Sequence, residues 1–143
     1  MASFPWNTPS SRTTGISASD NFANASGLLS SEIDNSSNLD DTMDIELTFT
    51  PESAPTAGVV FNIYVLLSLD GTNYEDGGTS LQPTAKTPVE FIPCRAAASA
   101  QKVSRDGIPI SPNKFKLLVW NLTAVQHNDV TLLVKTYRKG YAA

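Results

Sequence analysis

The sequence predicts an all-β protein, and three observations carry that prediction. Residues Gly58–Gly78 combine the most continuous apolar run of the chain with a polar turn cluster. Seven or eight short segments show strand-like patterning, and turn signals separate them every eight to twelve residues or so. No segment has the length and the capping residues of a long helix. We therefore expect an antiparallel β-sandwich of jelly-roll or similar Greek-key topology, preceded by an extended N-terminal arm.

The central strand is predicted within Val59–Leu69. Its odd-numbered residues are all apolar, and several of the even-numbered residues between them, such as Val60 and Leu66, are apolar as well. Apolar residues on both faces are typical of a central strand with neighbours on both sides. The other strands are predicted near 28–34, 43–50, 89–92, 100–105, 115–122 and 130–137, with the strand at 100–105 stopped by Asp106-Gly107. The alanine-rich stretch 95–100 lacks a helix start and is expected to be extended or irregular.

Length and charge limit the classes of function. A chain of 143 residues is expected to form one domain with a substantial core. Its net charge of −4 gives no electrostatic support for binding nucleic acid. No apolar run reaches the 18 or so residues of a membrane span, and the N-terminus lacks the apolar region of a secretory signal. Neither nucleic acid nor a membrane is therefore expected as a partner.

Residues 1–21 are predicted to form the arm, and residues 22–143 the sandwich domain. The arm is polar, with scattered proline and glycine, and it is too poor in apolar residues to fold alone. It nevertheless carries Phe4, Trp6 and Ile16. These side chains either pack on their own domain or anchor the arm to a neighbouring chain, since aromatic residues dominate interface energetics.

The polar cluster Asp70–Gly78 is the strongest candidate site. Its oxygen-bearing residues Asp70, Asn73, Glu75 and Asp76 are weak candidates for a calcium site, but their spacing does not fit an EF-hand. A turn in which Asp and Asn bond their own backbone explains the same residues. Adjacent carboxylates such as Glu75 and Asp76 usually point apart, which disfavours glycoside hydrolysis. We expect no metal and no cofactor here, and we predict that the exposed loop, including Tyr74, is available for subunit contact.

Nucleophilic chemistry has one candidate pair. Cys94 is the only cysteine and His127 the only histidine. Cys94 has no helix start beside it to lower its pKa, so it is expected to be a small buried or interfacial residue. His127 lies in the polar stretch QHND and is expected to be solvated. No catalytic residues are assigned, and the protein is predicted not to be an enzyme.

A sugar-binding face is a further possibility. Outward-facing Tyr64 and Trp120 on one sheet would form a stacking platform of the kind that carbohydrate-binding sandwiches use. The competing interpretation is that Trp120 lies in the core or in an interface.

Three phrases carry a resemblance to a known group of proteins. They are TFTPESAPTAG, IYVLLSLDGTNYEDGG and IPISPNKFKLLVWNLT, with most of the weight on Asp70–Gly78 and Pro112–Asn121. The chain resembles, over about Leu28–Tyr137, small all-β virion structural proteins of tailed bacteriophages. The resemblance rests on these phrases and includes no catalytic motif.

The resemblance implies a non-enzymatic particle component, of which the capsid cement or decoration proteins fit best. It implies binding to the major capsid protein on the capsid surface, synthesis in the host cytoplasm, and a homo-oligomer, with a trimer favoured. Phe4, Trp6 and Ile16 of the arm, together with Tyr74, are the predicted partner-binding residues. The alternatives are a head or tail appendage that binds host glycans, and a structural protein of the tail or connector.

Overall fold

A computed structural model describes residues 12–139, which form two antiparallel β-sheets packed face to face. The predicted all-β sandwich is therefore confirmed. Among the described residues, no helix is long and apolar enough to cross a membrane. The strands are β1 (Thr13–Ser19), β2 (Gly27–Leu29), β3 (Ile33–Asp34), β4 (Thr42–Pro51), β5 (Val60–Ser68), β6 (Glu90–Pro93), β7 (Gln101–Pro109), β8 (Lys114–Asn121) and β9 (His127–Tyr137).

The strand order is that of a jelly roll. Sheet 1 has the order β1-β9-β4-β7, and sheet 2 has the order β2-β8-β5-β6, with β3 continuing the line of β2 along β8. If β2 and β3 are counted as one interrupted strand, the first strand pairs with the last and the second with the last but one. The same nesting continues inward to the pairs β4–β7 and β5–β6. This is the double Greek key of a jelly roll.

The core lies between the two sheets and follows the predicted alternation. In β4, Met43, Ile45, Leu47 and Phe49 are buried, while the polar residues between them are half-exposed. Strand β5 is buried on both faces, as its continuous apolar run predicted. Its inward side chains Phe61, Ile63 and Val65 join the inter-sheet core, whereas Tyr64 and Leu66 form a second cluster on the outer face.

The outer face of sheet 2 is covered in large part by the segment 69–88, which connects β5 to β6. The Thr79 carbonyl accepts a hydrogen bond of 2.9 Å from the Gly27 amide. The side-chain amide of Gln82 donates to the Tyr64 hydroxyl at 3.0 Å. A Cβ atom at Gly27 would lie only 2.8 Å from the Gly78 carbonyl oxygen and 2.8 Å from a methyl group of Leu118. Glycine at position 27 is therefore what lets the covering segment approach β2.

Strand β7 does not stop at Asp106-Gly107, as the sequence had predicted, but continues to Pro109. Met43 pairs with Ile108 and Ile45 pairs with Arg105, so two residues of β7 face one residue of β4. Gly107 has φ +67, and its amide donates to the Asp44 carboxylate at 3.0 Å. The Asp-Gly pair thus forms a β-bulge and not a chain reversal, because a glycine in the left-handed region can re-aim a strand without ending it.

The predicted arm needs a correction over part of its length. Residues 13–19 form β1, an edge strand that pairs with β9 of sheet 1. Ile16 is buried in the inter-sheet core, so it is unavailable to a partner. The polar side chains around Ile16 had masked the strand, since only Ile16 of this stretch contributes a large apolar side chain to the core. Residues 1–11, with Phe4 and Trp6, lie outside the described residues.

Candidate functional site

A buried polar cluster closes one end of the sandwich. Thr123 follows β8, and its hydroxyl lies 2.7 Å from Nε2 of His127 at the start of β9. The same hydroxyl donates to the Asn121 side-chain oxygen at 2.7 Å. The Asn121 side-chain nitrogen in turn donates to the carbonyls of Val125 and Phe22. The cluster therefore ties the turn between β8 and β9 to the chain that follows β1.

His127 is fully buried, and the expectation that it is solvated is wrong. Its ring packs against Phe49 and Phe61, with centroids 5.3 and 4.8 Å away. Asp129 has φ +52, and the pairing of β9 with β4 shifts register between Thr48 and Thr50. This irregularity lets His127 and Val130, three residues apart, both face the core, which strict alternation would not allow.

Burial controls the chemistry of both reactive groups that the sequence singled out. It lowers the pKa of His127 to about 4, because a charged imidazolium would lose its hydration. It raises the pKa of the Cys94 thiol to about 11, because the thiolate would be equally poorly solvated. Cys94 belongs to the inter-sheet core, as a small buried residue would. His127 is hydrogen-bonded to Thr123, and no described contact joins it to Cys94.

Thr123 and His127 have the geometry of a nucleophile and a base, but they are sealed in. The exposed fraction is 1% for Thr123 and 0% for His127. The hydroxyl already donates its proton towards Asn121, and Nδ1 of His127 has no hydrogen-bond partner among the described residues. Because a substrate cannot reach these buried side chains, we interpret them as a hydrogen-bonded network that holds the turn between β8 and β9 in place.

The Asp70–Gly78 loop has the internal bonding of a turn. The Asp70 carboxylate accepts hydrogen bonds from the Thr72 and Asn73 amides at 2.8 and 2.7 Å, and also from the side chains of Asn73 and Ser68. The two amides, with the side chain of Asn73, hold the pKa of Asp70 well below its usual range. Among residues 12–139, no three acidic, histidine or cysteine side chains are grouped as metal ligands.

The other candidate ligands of this loop point to different partners. One Glu75 carboxylate oxygen accepts from the Leu67 amide at 2.9 Å and lies 2.6 Å from Nζ of Lys86. Asp76 is exposed. A groove of about 490 Å³ runs between this loop and the chain that follows it, lined among others by Tyr74, Glu75, Asp76, Gln82 and Lys86. The ion pair of Lys86 with Glu75 engages two charged groups of this groove, while the Asp76 carboxylate faces solvent.

Tyr74 lies against its own domain. Its ring is 4.5 Å from Nζ of Lys116 on β8, and its hydroxyl donates to the Glu32 carboxylate. Desolvation and the Glu32 carboxylate raise the pKa of Tyr74 to about 12. The side chain remains partly exposed. Tyr74 therefore fastens one end of the covering segment to sheet 2, and its role towards a partner stays a prediction.

Tyr64 and Trp120 lie on the outer face of sheet 2, which is the arrangement that a sugar platform requires. Both rings are nevertheless buried, because the covering segment lies over this part of the sheet. Gln82 already donates to the Tyr64 hydroxyl. Of the two readings of Trp120, burial inside the domain is the one observed.

An exposed apolar patch, not predicted from the sequence, lies beside these rings. We call it the Phe91 patch; Phe91 is 51% exposed and Leu122 is 40% exposed. Alternation in EFIP carries the signal, because Ile92 is buried in the core and its neighbours Phe91 and Pro93 must face outward. The patch consists of Val60, Phe91, Pro93 and Leu122.

No model of a protein family matches the chain, and no curated protein matches it.

Proposed function

We propose that this chain is a non-enzymatic structural protein of a tailed-bacteriophage particle, of the capsid cement or decoration type. In this role it binds the major capsid protein at the capsid surface and stabilises the shell. The resemblance over Leu28–Tyr137 supports a role in a phage particle. The burial of the reactive side chains and the aromatic residues of the arm support a role in binding.

One observation carries the non-enzymatic part of the proposal. The side chains that could act as nucleophile and base, Cys94, Thr123 and His127, all lie in the interior. Burial moves the pKa values of Cys94 and His127 away from the range in which they would react at neutral pH. In the oxygen-rich loop, the Asp70 carboxylate accepts hydrogen bonds from the loop's own Thr72 and Asn73 amides. Such a domain is suited to presenting surfaces, not to turning over a substrate.

The binding logic is multivalent. A small domain that contacts several subunits of a lattice gains avidity although each contact is weak. Residues 1–11, with Phe4 and Trp6, supply aromatic anchors of the type that dominates interfaces, towards the capsid or towards a neighbouring copy.

The direct experiment adds the purified protein to capsids that lack it. We expect saturable binding at lattice positions and a higher temperature of shell disruption. A deletion of residues 1–11 should lower occupancy, and this deletion is the correct one because it spares β1. If the full-length protein neither binds capsids nor shifts their disruption temperature, the cement proposal fails.

The two alternatives have their own readouts in the same preparation. A tail or connector protein would assemble into rings or tubes instead of decorating the shell. A glycan-binding appendage would bind host glycans on an array, and Trp120→Ala would abolish that binding. The buried position of Trp120 and Tyr64 weakens the platform on which the glycan alternative was based.

A further inference from the structure

The Phe91 patch is formed by two neighbouring rows on the outer face of sheet 2. In the first row, Pro93 pairs with Val60, and the Leu122 amide donates to the Val60 carbonyl at 3.2 Å. In the second row, Phe91 pairs with Asn62, which also pairs with Trp120. No charged residue occurs in either row, and the nearby Arg105 guanidinium donates to the Phe91 carbonyl at 3.4 Å and pairs with Glu90 at 3.5 Å. Adjoining exposed apolar residues are a common feature of the sites at which proteins contact one another.

The covering segment 69–88 does not extend to this patch. Its contacts with sheet 2 include Gly27, Tyr64, Leu66, Leu67 and Lys116, which lie on the other side of Trp120 or further along β5 and β8. Phe91 therefore keeps half of its surface, although Trp120 in the same row is almost fully buried. Within residues 12–139, this end of the outer face is left open, whereas Tyr64 and Trp120 further along it are covered.

The chain holds a segment of matching chemistry outside the described residues. Residues 1–11 read MASFPWNTPSS and carry Phe4, Pro5 and Trp6 without any charged side chain. The described chain begins at Arg12, just before β1. An uncharged segment rich in aromatic residues is a suitable occupant for an uncharged apolar opening, because neither side has to desolvate a charge.

The position of β1 prevents a chain from filling its own patch with this segment. Thr13 pairs with Val134, and the strand runs from there towards the end of the sandwich that holds His127. His127 packs on Phe61, which lies between the two rows of the patch. The start of β1 lies beside Val134, and the patch lies at the level of His127, seven residues or about 23 Å away along β9. The patch is also on the opposite face of a sandwich about 10 Å thick.

The seven Cα-to-Cα steps from Trp6 to Thr13 span at most about 25 Å in a fully extended chain. The segment also enters β1 from the end opposite the patch, so it would have to reverse direction and pass around the sandwich. Trp6 thus cannot reach Phe91 of its own chain along the surface. Trp6 of a second copy, approaching from outside, meets no such limit.

We propose that residues 1–11 of one copy dock on the Phe91 patch of the next copy. The contact is head-to-tail, because it joins the start of β1 in one molecule to the opposite end of the sandwich in its neighbour. Such contacts close either as a two-fold dimer, in which two copies exchange their segments, or as a larger ring such as a trimer. This inference deepens the proposed function by naming a partner surface for the homo-oligomer, and its test does not use capsids.

The experiment uses full-length variants and measures molar mass in solution by light scattering after size separation. One variant, Phe4→Ala with Trp6→Ala, loses the segment's anchors and keeps the patch. The other, Phe91→Ser with Leu122→Ser, loses the patch and keeps the segment. Leu69→Ser is the matched control, because Leu69 is 82% exposed and lies outside the patch.

We expect the wild type and the control to form the same oligomer and each double variant to weaken self-association roughly tenfold or more. An equimolar mixture of the two double variants should form a one-to-one complex, since one intact segment and one intact patch remain. Leu122→Asp provides a second patch variant, should Phe91→Ser disturb the fold.

Three results would overturn the inference: a monomeric wild type at tens of micromolar, patch variants that keep the wild-type oligomer, or a mixture that stays monomeric. If the wild type is monomeric and the patch variants lose capsid binding, the patch belongs to the capsid contact and the inference is also wrong. A monomer that still binds capsids leaves the cement function standing, whereas an oligomer that binds none removes that function alone.

Discussion

The hydroxyl of Thr123 lies 2.7 Å from Nε2 of His127, and both side chains are buried at one end of the jelly roll. This contact links the end of β8 in one sheet to the start of β9 in the other. Around it, Phe49 and Phe61 bring the two sheets together on the imidazole ring. The only histidine of the chain therefore contributes to stability in a way that depends on its protonation state.

The stability of the protein should decrease in mild acid. In the unfolded chain His127 takes up a proton near its ordinary pKa of 6.5, but in the folded protein only near 4. Between these values the unfolded chain binds more protons, so the free energy of unfolding falls as the pH falls. The difference between these two pKa values corresponds to about 3 kcal/mol of unfolding free energy, which is lost in full once the pH is below both of them. Chemical denaturation at pH 7.5, 6, 5 and 4.5 measures this loss.

The matched variant for this prediction is His127→Gln, which keeps a polar side chain near Thr123 but has no proton to bind. Its stability at pH 7.5 should be lower than that of the wild type, while its decline between pH 6.5 and 4.5 should be much smaller. Equal slopes in the two proteins would mean that His127 does not govern the acid sensitivity.

Thr123→Ala should destabilise the protein by about 1–3 kcal/mol, because the partners of the buried hydroxyl lose a hydrogen bond. Those partners are Nε2 of His127 and the side-chain oxygen of Asn121. Thr123→Ser keeps the hydroxyl and should lose far less. Denaturant unfolding at pH 7.5 compares the two, and a serine variant as unstable as the alanine variant would point to the methyl group instead.

Gly27→Ala should displace the segment that covers sheet 2. The new methyl group would lie 2.8 Å from the Gly78 carbonyl oxygen, and overpacking of this kind costs about 1–3 kcal/mol. Hydrogen exchange should become faster at the Gly27 amide, which donates to Thr79. Gly78→Ala is the control, because a Cβ atom there meets nothing within 4 Å. Similar losses in both variants would contradict the packing of this segment.

Two truncations distinguish the part of the N-terminus that belongs to the folded domain from the part that precedes it. Deletion of residues 1–21 removes β1 and with it the buried side chain of Ile16, which alone is worth about 2 kcal/mol of apolar burial. Deletion of residues 1–11 leaves β1 intact. Thermal unfolding should show a large loss for the longer truncation and a much smaller one for the shorter, which removes only contacts between copies. The reverse order would place the structural boundary elsewhere.

Calcium should leave the melting temperature unchanged. The Asp70 carboxylate already accepts two backbone amides, and Glu75 is engaged by the Leu67 amide and by Lys86. A cation would have to displace these bonds before it could gain enough oxygen ligands. Melting curves in millimolar calcium and in chelator test this expectation, and a calcium-dependent increase would revive the loop as a cation site.

Alternation and turn residues were sufficient to predict most of the sandwich. The pattern of β4, from Met43 to Phe49, returns in the structure as buried and half-exposed positions. The apolar run of β5 is buried on both faces, as predicted. The Asp70 loop has the hydrogen bonds that Asp and Asn form in turns. In these cases the signal is local, so neighbouring residues determine the outcome.

The predictions were wrong where pairing with residues distant in sequence determines the local structure. His127 stands in a polar stretch, and only the bulged pairing of β9 with β4 turns it into the core. Ile16 is the one large core residue of β1, which gains its stability from β9, more than a hundred residues away in sequence. Asp106-Gly107 has the composition of a turn, but the partner Asp44 holds it as a bulge. Single-sequence patterns do not contain these pairings.

Imaging of intact phage particles by electron microscopy with local symmetry tests the proposal that the protein decorates the capsid. We expect density for a small jelly roll at regular positions on the outer surface of the shell, in contact with the major capsid protein. Density confined to the tail or connector, or particles that lack the protein, would contradict it.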